Sequence, residues 1–145
     1  MLDLKTIPYG SPDYERTVSL RHEVLRKPLG LEFDQAFLAQ EKDPAHTHVA
    51  AFDGTSLVGC LILTDAGGGS LKMRQVAVAA NQQGKGVGRA LVEFSEKFGH
   101  ERGFREMVLN ARETAVPFYL ALDYEPVGET FTEVGIPHRK MRKTF

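Results

Sequence analysis

The chain has 145 residues, 42% of them hydrophobic, with a single cysteine and a formal net charge of -1. This length predicts one domain, spanning residues 1–145, with enough apolar residues for a buried core, and one cysteine excludes an intramolecular disulfide. The balanced charge gives no reason to expect nucleic acid or a membrane surface as a partner, and because no targeting segment or apolar run of ~20 residues stands out, a cytoplasmic protein is the simplest expectation.

The N-terminal third predicts one strand and two helices. Leu2–Ile7 alternate apolar and polar residues, which is typical of a short strand. Ser11–Asp13 combine a capping hydroxyl, a proline and an early acid, so a helix begins there and continues up to Pro28. Its stripe would hold Tyr14, Val18, Arg21 and Leu25. A second, short helix is expected between Phe33 and Glu41.

The next segment predicts three strands. His48–Phe52 and Leu57–Thr64 are joined by Asp53-Gly54, a strong hairpin signal. The second of these strands is an apolar run that predicts burial on both faces, with Cys60 inside it. Leu71–Val78 follows a Gly-rich loop as the third strand.

The segment Gln83–Arg89, QGKGVGR, is the most unusual in the chain. Its three glycines would have no packing role on a helix stripe and each costs ~0.5–1 kcal/mol relative to Ala in a helix, which indicates a backbone that must come close to a ligand. A helix follows directly, and its unpaired amides and dipole favour a phosphate, with Lys85 and Arg89 adding positive charge. A pyrophosphate is the predicted ligand, and a plain Gly-rich turn is the alternative. The apolar face of the helix would be Val87, Leu91, Phe94 and Phe98.

The C-terminal part predicts a strand, a short helix and a closing pair of strands. Met107–Ala111 should lie parallel to Leu71–Val78, because a helix connects the two. Thr114–Leu122 is expected to be helical. Val127–Phe131 and His138–Thr144 would form the closing antiparallel pair, which gives a mixed sheet with helices on its faces.

Two well-known nucleotide-binding motifs fit the Gly-rich turn poorly. A Walker A loop requires Gly-Lys-Ser/Thr, whereas Gly86 follows Lys85. A Rossmann motif requires a third glycine where Leu91 stands, and the next strand ends in Asn110 instead of an acid that could bind a ribose. A nucleotide-binding α/β domain is therefore disfavoured.

The segment Gln83–Gly88 matches the Q/R-x-x-G-x-G/A signature of the GNAT superfamily of N-acetyltransferases. Met73–Val78 and Leu109–Ala111 resemble the family's flanking strands, and Ala115–Tyr124 is similar to its A-x-x-F-Y-x-x-L-G-F helix, so the resemblance covers residues 71–124. It implies a GNAT-like α/β fold of about seven strands with a central splayed parallel pair, flanked by about four helices.

In this family, acetyl-CoA lies between the two splayed strands, so the resemblance implies acetyl-CoA as the cosubstrate and no metal. Val76, Ala77 and Val78 would bind the pantetheine arm through the strand backbone. Asn110 would contact the pantetheine end, and Phe118 would pack against the cofactor. The pyrophosphate would be held by Gln83, Gly84, Lys85, Gly86, Val87, Gly88 and Arg89.

The resemblance also implies an N-acetyltransferase in which a primary amine of a small molecule or peptide attacks the thioester directly. Tyr119 stands where the family's general acid stands, and a phenol, with an ordinary pKa of about 10, can donate a proton to the thiolate. The family's glutamate base aligns with Lys72, so the base is left open among Glu32, Asp34, His138 and ordered water. A CoA-binding module without turnover is the alternative function. Family members often dimerise, so the choice between monomer and homodimer also stays open.

Overall fold

A mixed sheet of seven strands organises the chain, in the order β1-β2-β3-β4-β5-β7-β6. The computed structural model describes residues 2–145. The strands are β1 (Leu2–Ile7), β2 (His46–Asp53), β3 (Ser56–Gly67), β4 (Ser70–Val78), β5 (Glu106–Arg112), β6 (Glu125–Glu133) and β7 (Ile136–Thr144). The α-helices are α1 (Pro12–Arg21), α2 (Gln35–Ala39), α3 (Val87–Glu101) and α4 (Val116–Leu120). Among the described residues, no helix has the length and apolar character that crossing a membrane requires.

Helix α1 begins as predicted but ends early. The Ser11 hydroxyl accepts a hydrogen bond from the Tyr14 amide at 3.1 Å, and Pro12 takes the first helical position. The predicted continuation of the α-helical stripe to Leu25 is wrong, because residues 22–26 form a π-helical turn and residues 27–29 a 3₁₀ turn. Pro28 has no amide hydrogen to continue the α-helical ladder, and the wider π turn shifts the positions after α1 off the stripe.

The core lies between α3 and the central strands. The apolar run of β3 is buried on both faces, as predicted, and includes Cys60. Helix α3 reaches β3 closely because β3 carries Gly59, where a Cβ would lie 2.8 Å from Leu91 Cδ1 and 2.9 Å from Val87 Cγ1. The fully buried positions of α3 are Val87, Leu91, Val92, Ser95 and Gly99, while the predicted face members Phe94 and Phe98 are only partly buried.

The two short helices also differ slightly from expectation. The predicted helix at residues 114–122 begins as a 3₁₀ turn over Glu113–Ala115 and ends at Leu120. Asp123 follows with a φ of 72°, the left-handed conformation for which the family motif has glycine. The second N-terminal helix is α2, which continues as a 3₁₀ turn over Gln40–Lys42.

The two parallel strands separate after one half of their length. β4 and β5 pair from Ser70 with Glu106 to Met73 with Leu109, and no further. Beyond that point β4 continues to pair with β3, where Ala77 lies opposite Cys60. β5 continues to pair with β7. The register between β3 and β4 shifts where Gln75 adopts a φ of 53°. A bulge of this kind bends the strand, so a gap opens between the second halves of β4 and β5.

A buried polar cluster holds the N-terminal helices on this bulged strand. The Arg21 guanidinium binds both carboxylate oxygens of Glu41 at 2.8 Å and donates to Gln75 Oε1 at 3.1 Å. The Tyr14 hydroxyl donates to the same carboxylate at 2.7 Å, and His48 Nε2 donates to the Glu41 carbonyl at 2.9 Å. These contacts connect α1, the segment after α2, β2 and the bulge of β4.

Candidate active site

A cavity of about 390 Å³ lies where β4 and β5 separate. Its walls are the π-helical and 3₁₀ turns after α1, the middle of α2, β4 from Lys72 to Val76, β5 from Leu109 to Arg112, α4, and the turn between β6 and β7. The strand bulge opens this cavity, and the turns after α1 cover it. Leu25, which the sequence placed on the α1 stripe, lines the cavity instead.

Tyr119 enters the cavity from α4. The residue is only 6% exposed, and its ring packs edge-on against Phe118 and Tyr124, at centroid distances of 5.0 and 5.6 Å. Its hydroxyl makes no hydrogen bond to any residue between 2 and 145. Burial raises the pKa of Tyr119 to about 12, so the phenol carries its proton at neutral pH. The cavity therefore contains a protonated hydroxyl whose hydrogen-bonding capacity is unused by the protein.

The two strands bring further predicted residues to the same cavity. Val76 and Asn110 line it from opposite sides of the gap. The Ala77 side chain is buried in the core, so Ala77 can face the gap only through its backbone. The Val78 side chain is partly buried and lies near Gly88. The structure thus brings Val76, Asn110 and Tyr119 together at one site.

The Gly-rich turn reaches α3 at one end of the gap. Gly84 and Gly86 have φ values of 79° and 85°, in the left-handed region that favours glycine. Gly86 is the N-cap of α3 without a side-chain hydrogen bond, and no acidic residue stands in the first turn. The first amides of α3 therefore have neither a side-chain acceptor nor a carboxylate near them. Among the charged residues, Lys85 is exposed, and Arg89 Nε donates to Glu93 Oε1 at 3.1 Å.

Gly88 has a packing role that the sequence did not predict. A Cβ at this position would lie 3.3 Å from Phe118 Cζ and 3.8 Å from Val78 Cγ2. The expectation that none of the three glycines takes part in packing is thus wrong for Gly88, because α3, α4 and β4 converge there. Phe118 stays 39% exposed beside it.

The three candidate bases lie in different environments. Glu32 does not line the cavity, and its side chain is 85% exposed, with the carboxylate 3.1 Å from His22 Nε2. Asp34 is also outside the lining and caps α2 by accepting from the Ala36 amide at 3.0 Å. His138 lines the cavity with its side chain only 5% exposed.

His138 is held by contacts at both ring nitrogens. Its Nδ1 donates to the Ile136 carbonyl at 2.9 Å, which leaves Nε2 as the unprotonated nitrogen of the neutral ring. That Nε2 lies 3.6 Å from Glu133 Oε2, and Glu133 also lines the cavity. The sequence did not single out Glu133, because only the β6–β7 turn brings it next to His138.

Four basic residues on the lining were also missed as a group. They are Arg26, Lys72, Arg74 and Arg112. The alternation of Lys72 and Arg74 on a strand could have suggested a shared face, but no local pattern connects them with residues 26 and 112. Within residues 2–145, no group of three or more metal-binding side chains is placed to hold an ion.

The chain is similar to known acetyltransferases in sequence and in structure. The sequence profile of the acetyltransferase (GNAT) domain matches residues 23–145. A Bacillus subtilis (strain 168) protein, named uncharacterized N-acetyltransferase YjcF, is 29% identical over 127 residues, covering 86% of this chain and 87% of the relative.

Two solved structures share the fold over almost the whole chain. A candidate N-acetyltransferase from Lactobacillus plantarum superposes with a TM-score of 0.84 at 23% identity, covering 97% of both chains. An aminoglycoside 6'-N-acetyltransferase complexed with coenzyme A superposes with a TM-score of 0.80 at 19% identity, covering 98% of this chain and 96% of that one. The predicted arrangement of seven strands with a splayed parallel pair is confirmed.

Proposed function

The chain belongs to the GNAT family of acetyltransferases and is an acyltransferase; on that premise we propose that it moves an acetyl group from acetyl-CoA to a primary amine of a small molecule or peptide. The observation that carries the proposal is the cavity between β4 and β5, which contains the unbonded hydroxyl of Tyr119. The amine nitrogen attacks the thioester carbonyl carbon, the C–S bond breaks, and the thiolate leaves with a proton.

The gap and the Gly-rich turn suit the two halves of CoA. Because β5 does not pair with β4 beyond Met73, β4 has no strand partner on that side from Val76 to Val78, which suits the amides of pantetheine. The Val78 carbonyl accepts a hydrogen bond from Gln83 Nε2 at 3.2 Å. The uncapped N-terminus of α3, from Gly84 to Arg89, is suited to the pyrophosphate, since its amides and dipole attract anions. A structure with this fold is complexed with coenzyme A, which supports the assignment.

In this proposal Tyr119 is the general acid. Because no described protein group accepts a hydrogen bond from the Tyr119 hydroxyl, this hydroxyl can donate its proton to the departing sulfur. Asn110 and Phe118 have binding roles: Asn110 would contact the pantetheine end at the gap, and Phe118 would give the cofactor an apolar wall beside Gly88.

We assign the base to His138, supported by Glu133. With Nδ1 donating to Ile136, the neutral ring presents Nε2 as a proton acceptor inside the cavity. The Glu133 carboxylate, 3.6 Å away, stabilises the imidazolium that forms when Nε2 takes the amine proton. Glu32 and Asp34 are less suited, because neither lines the cavity.

Cofactor binding is the first test. Acetyl-CoA at 100 times its dissociation constant should raise the unfolding free energy by ~2.7 kcal/mol, which a thermal melt would detect. The absence of any shift with millimolar CoA or acetyl-CoA would overturn the assignment. Turnover is then measured by mass spectrometry on a panel of amines. Release of CoA can be followed with a thiol dye as well, because Cys60 is buried and burial raises the pKa of its thiol to about 12.

The Gly-rich turn is tested through Gly88. Gly88→Val places atoms beside Phe118 and where the phosphates would bind. The affinity for CoA should therefore fall by more than 100-fold, which corresponds to roughly 2.7 kcal/mol of binding free energy. Gly86→Val should also abolish binding, but its φ of 85° adds backbone strain and makes it the less clean variant. Lys97→Val, at an exposed position of the same helix, is the matched control for a β-branched residue in α3. Normal CoA binding by folded Gly88→Val would mean that the phosphates are held elsewhere.

A further inference from the structure

The charged residues that line the cavity are mostly basic. Four basic side chains line it, from three separate parts of the chain: Arg26, Lys72, Arg74 and Arg112. Arg26 lies in the π-helical turn, Lys72 and Arg74 alternate on β4, and Arg112 is the last residue of β5. A single carboxylate, that of Glu133, faces them.

Two of the four cations are held in place by uncharged groups. The Arg26 guanidinium lies over the rings of Phe33 and Phe37, at 4.8 and 5.6 Å from their centroids. Arg112 Nη2 donates to the Leu25 carbonyl at 3.2 Å. These contacts orient the two side chains and leave their positive charges uncompensated.

The other two cations are free of protein partners. Over residues 2–145, the side chains of Lys72 and Arg74 have no hydrogen bond and no ion pair. The carboxylate of Glu133 lies next to His138 instead, 3.6 Å from its Nε2. Two side chains on the same face of β4 therefore present unused hydrogen-bond donors to the cavity.

Away from the cavity, the buried Arg21 and the half-buried Lys143 are each paired with a carboxylate. Arg21 has a Glu41 oxygen at 2.8 Å, and Lys143 has a Glu96 oxygen at 3.0 Å. By contrast, none of the four cations on the cavity wall has a carboxylate partner among residues 2–145. Clustering like charges on a concave wall raises the local potential and attracts anions.

The pyrophosphate of the cofactor does not explain this charge. Under the proposed function it binds at Gly84–Arg89, and none of those residues lines the cavity. The part of the cofactor that would enter the gap between β4 and β5 is the uncharged pantetheine arm. An anionic group on the acceptor would match the four cations.

We propose that the acceptor is a small amine that carries a carboxylate or phosphate group, and that Lys72, Arg74 and Arg112 bind this group. The inference rests on the proposed acetyl transfer and specifies its substrate. A guanidinium binds carboxylate and phosphate through paired N–H donors, and Lys72 adds a point charge. The cavity volume of about 390 Å³ is at the small end for ligand sites and suits an acceptor of amino-acid size.

The same charge distribution discriminates against amines without an anionic group. A plain alkyl ammonium would enter a cavity whose wall repels it, whereas an amine with an anionic group enters with its charge balanced. The positive wall also disfavours the protonated form of a bound amine, and direct attack requires the unprotonated form.

Matched acceptors test the inference. With saturating acetyl-CoA, kcat/KM is measured for a set of amino acids against their primary amides, and for phosphoethanolamine against ethanolamine. The anionic member of a pair should be preferred by about 10–100-fold, since hydrogen bonds to charged groups contribute about 1.5–3 kcal/mol. The two sets also show whether carboxylate or phosphate is the better anion. Equal or better use of the neutral members would overturn the inference while leaving acetyl transfer intact.

Variants locate the anion. Arg74→Gln should remove most of the preference for the anionic acceptor over its neutral counterpart. The KM for the anionic acceptor should rise, while the KM for the neutral acceptor should change little. Lys72→Gln should act in the same direction. Neither side chain has a hydrogen bond or an ion pair among residues 2–145 that the substitution would break. Arg142→Gln, which removes a cation paired with Glu125 outside the cavity, is the charge-matched control and should keep the preference.

A binding measurement decides the case in which no amine of the panel is acetylated. The protein is first loaded with CoA, so that its phosphate site is filled, and inorganic phosphate is titrated at constant ionic strength. The melting temperature should rise for the unmodified protein and not for Arg74→Gln. If CoA binds but phosphate produces no shift, the anion site is refuted; if CoA itself does not bind, the proposed function fails first.

Discussion

Two sites in this molecule use the same four residue types in opposite ways. The buried cluster consists of Tyr14, Arg21, Glu41 and His48. The cavity presents Tyr119, Arg74, Glu133 and His138. In the buried cluster every one of these side chains has a partner, and Arg21 is only 1% exposed. In the cavity, the tyrosine hydroxyl and the arginine have none among the described residues.

The difference separates a structural from a functional use of polar groups. A buried charge must be paired and hydrogen-bonded, or its desolvation destabilises the fold, so Arg21 and Glu41 pair with each other inside the buried cluster. Arg21 Nε is left without a hydrogen-bond partner. Groups that line an open cavity are solvated until a ligand replaces the water, so they can stay unpaired at little cost to stability. The two sites meet at Gln75, which accepts from Arg21 and lines the cavity at the β4 bulge.

The largest effect is expected from removing the carboxylate of the buried cluster. Glu41→Ala leaves Arg21 buried without its counterion and should lower the unfolding free energy by about 3–5 kcal/mol. Glu133→Ala, the corresponding change in the cavity, should stay within about 0.5 kcal/mol. Urea denaturation of both variants measures the difference. Similar losses for the two would show that Glu133 also supports the fold.

The two tyrosines should separate turnover from stability. Tyr119→Phe keeps the ring and removes a hydroxyl that has no hydrogen bond, so turnover should fall by about 10²–10⁴-fold. The unfolding free energy should change little, and CoA affinity should stay within a few-fold of its original value. Tyr14→Phe removes a hydrogen bond to a buried carboxylate, so it should lower the unfolding free energy by about 1.5–3 kcal/mol and leave turnover unchanged.

For both tyrosine variants, turnover and CoA affinity would be measured and compared with their thermal unfolding curves. Loss of CoA affinity in Tyr119→Phe without a change in turnover would make the hydroxyl a binding group. Unchanged turnover and affinity would mean that water or the substrate protonates the thiolate, and Tyr119 would have no catalytic role.

Acid should weaken the buried cluster in a defined pH window. Burial lowers the pKa of His48 below its ordinary 6.5. Burial by itself would raise the pKa of Glu41, but hydrogen bonds from Arg21 and Tyr14 outweigh it and hold that pKa below 4.5. In both cases the unfolded chain binds protons at a higher pH than the folded one, so stability decreases as the pH falls.

The decrease should begin near pH 6.5 through His48 and steepen below pH 4.5 through Glu41. Urea midpoints between pH 7 and pH 3 would follow it, with Glu41→Ala as the comparison. That variant should lose the steeper, more acidic part of the dependence. An identical profile for the two proteins would show that other groups control the acid response.

The smallest effect is expected from the cavity arginine. Arg74→Gln removes an unpaired cation from a group of like charges, so the unfolding free energy should stay within about 0.5 kcal/mol, with any change toward higher stability. Arg21→Gln is the matched variant in the buried cluster and should be strongly destabilising, because it leaves Glu41 buried without its partner. A large loss for Arg74→Gln would mean that its side chain supports the fold.

The sequence predicted most of the elements that build the site. Alternation located β1 at its observed bounds, and the apolar run of β3 was buried as expected. The crossover through α3 implied the parallel pairing of β4 with β5, which is observed. The sequence pattern failed to predict the segment before and at Pro28. Residues 22–26 form a π-helical turn and residues 27–29 a 3₁₀ turn, so the α-helical period no longer applies there.

What the sequence by itself determined is therefore local: the helix and strand periods, the Gly-rich N-terminus of α3, and the family motif around Tyr119. Only the tertiary structure decided which charged residues meet. Arg21 and Glu41 lie 20 residues apart on different segments, and the four cations of the cavity come from positions 26, 72, 74 and 112. Periodicity places a side chain on a face of its own element, whereas compensation of its charge depends on which other elements pack against that face.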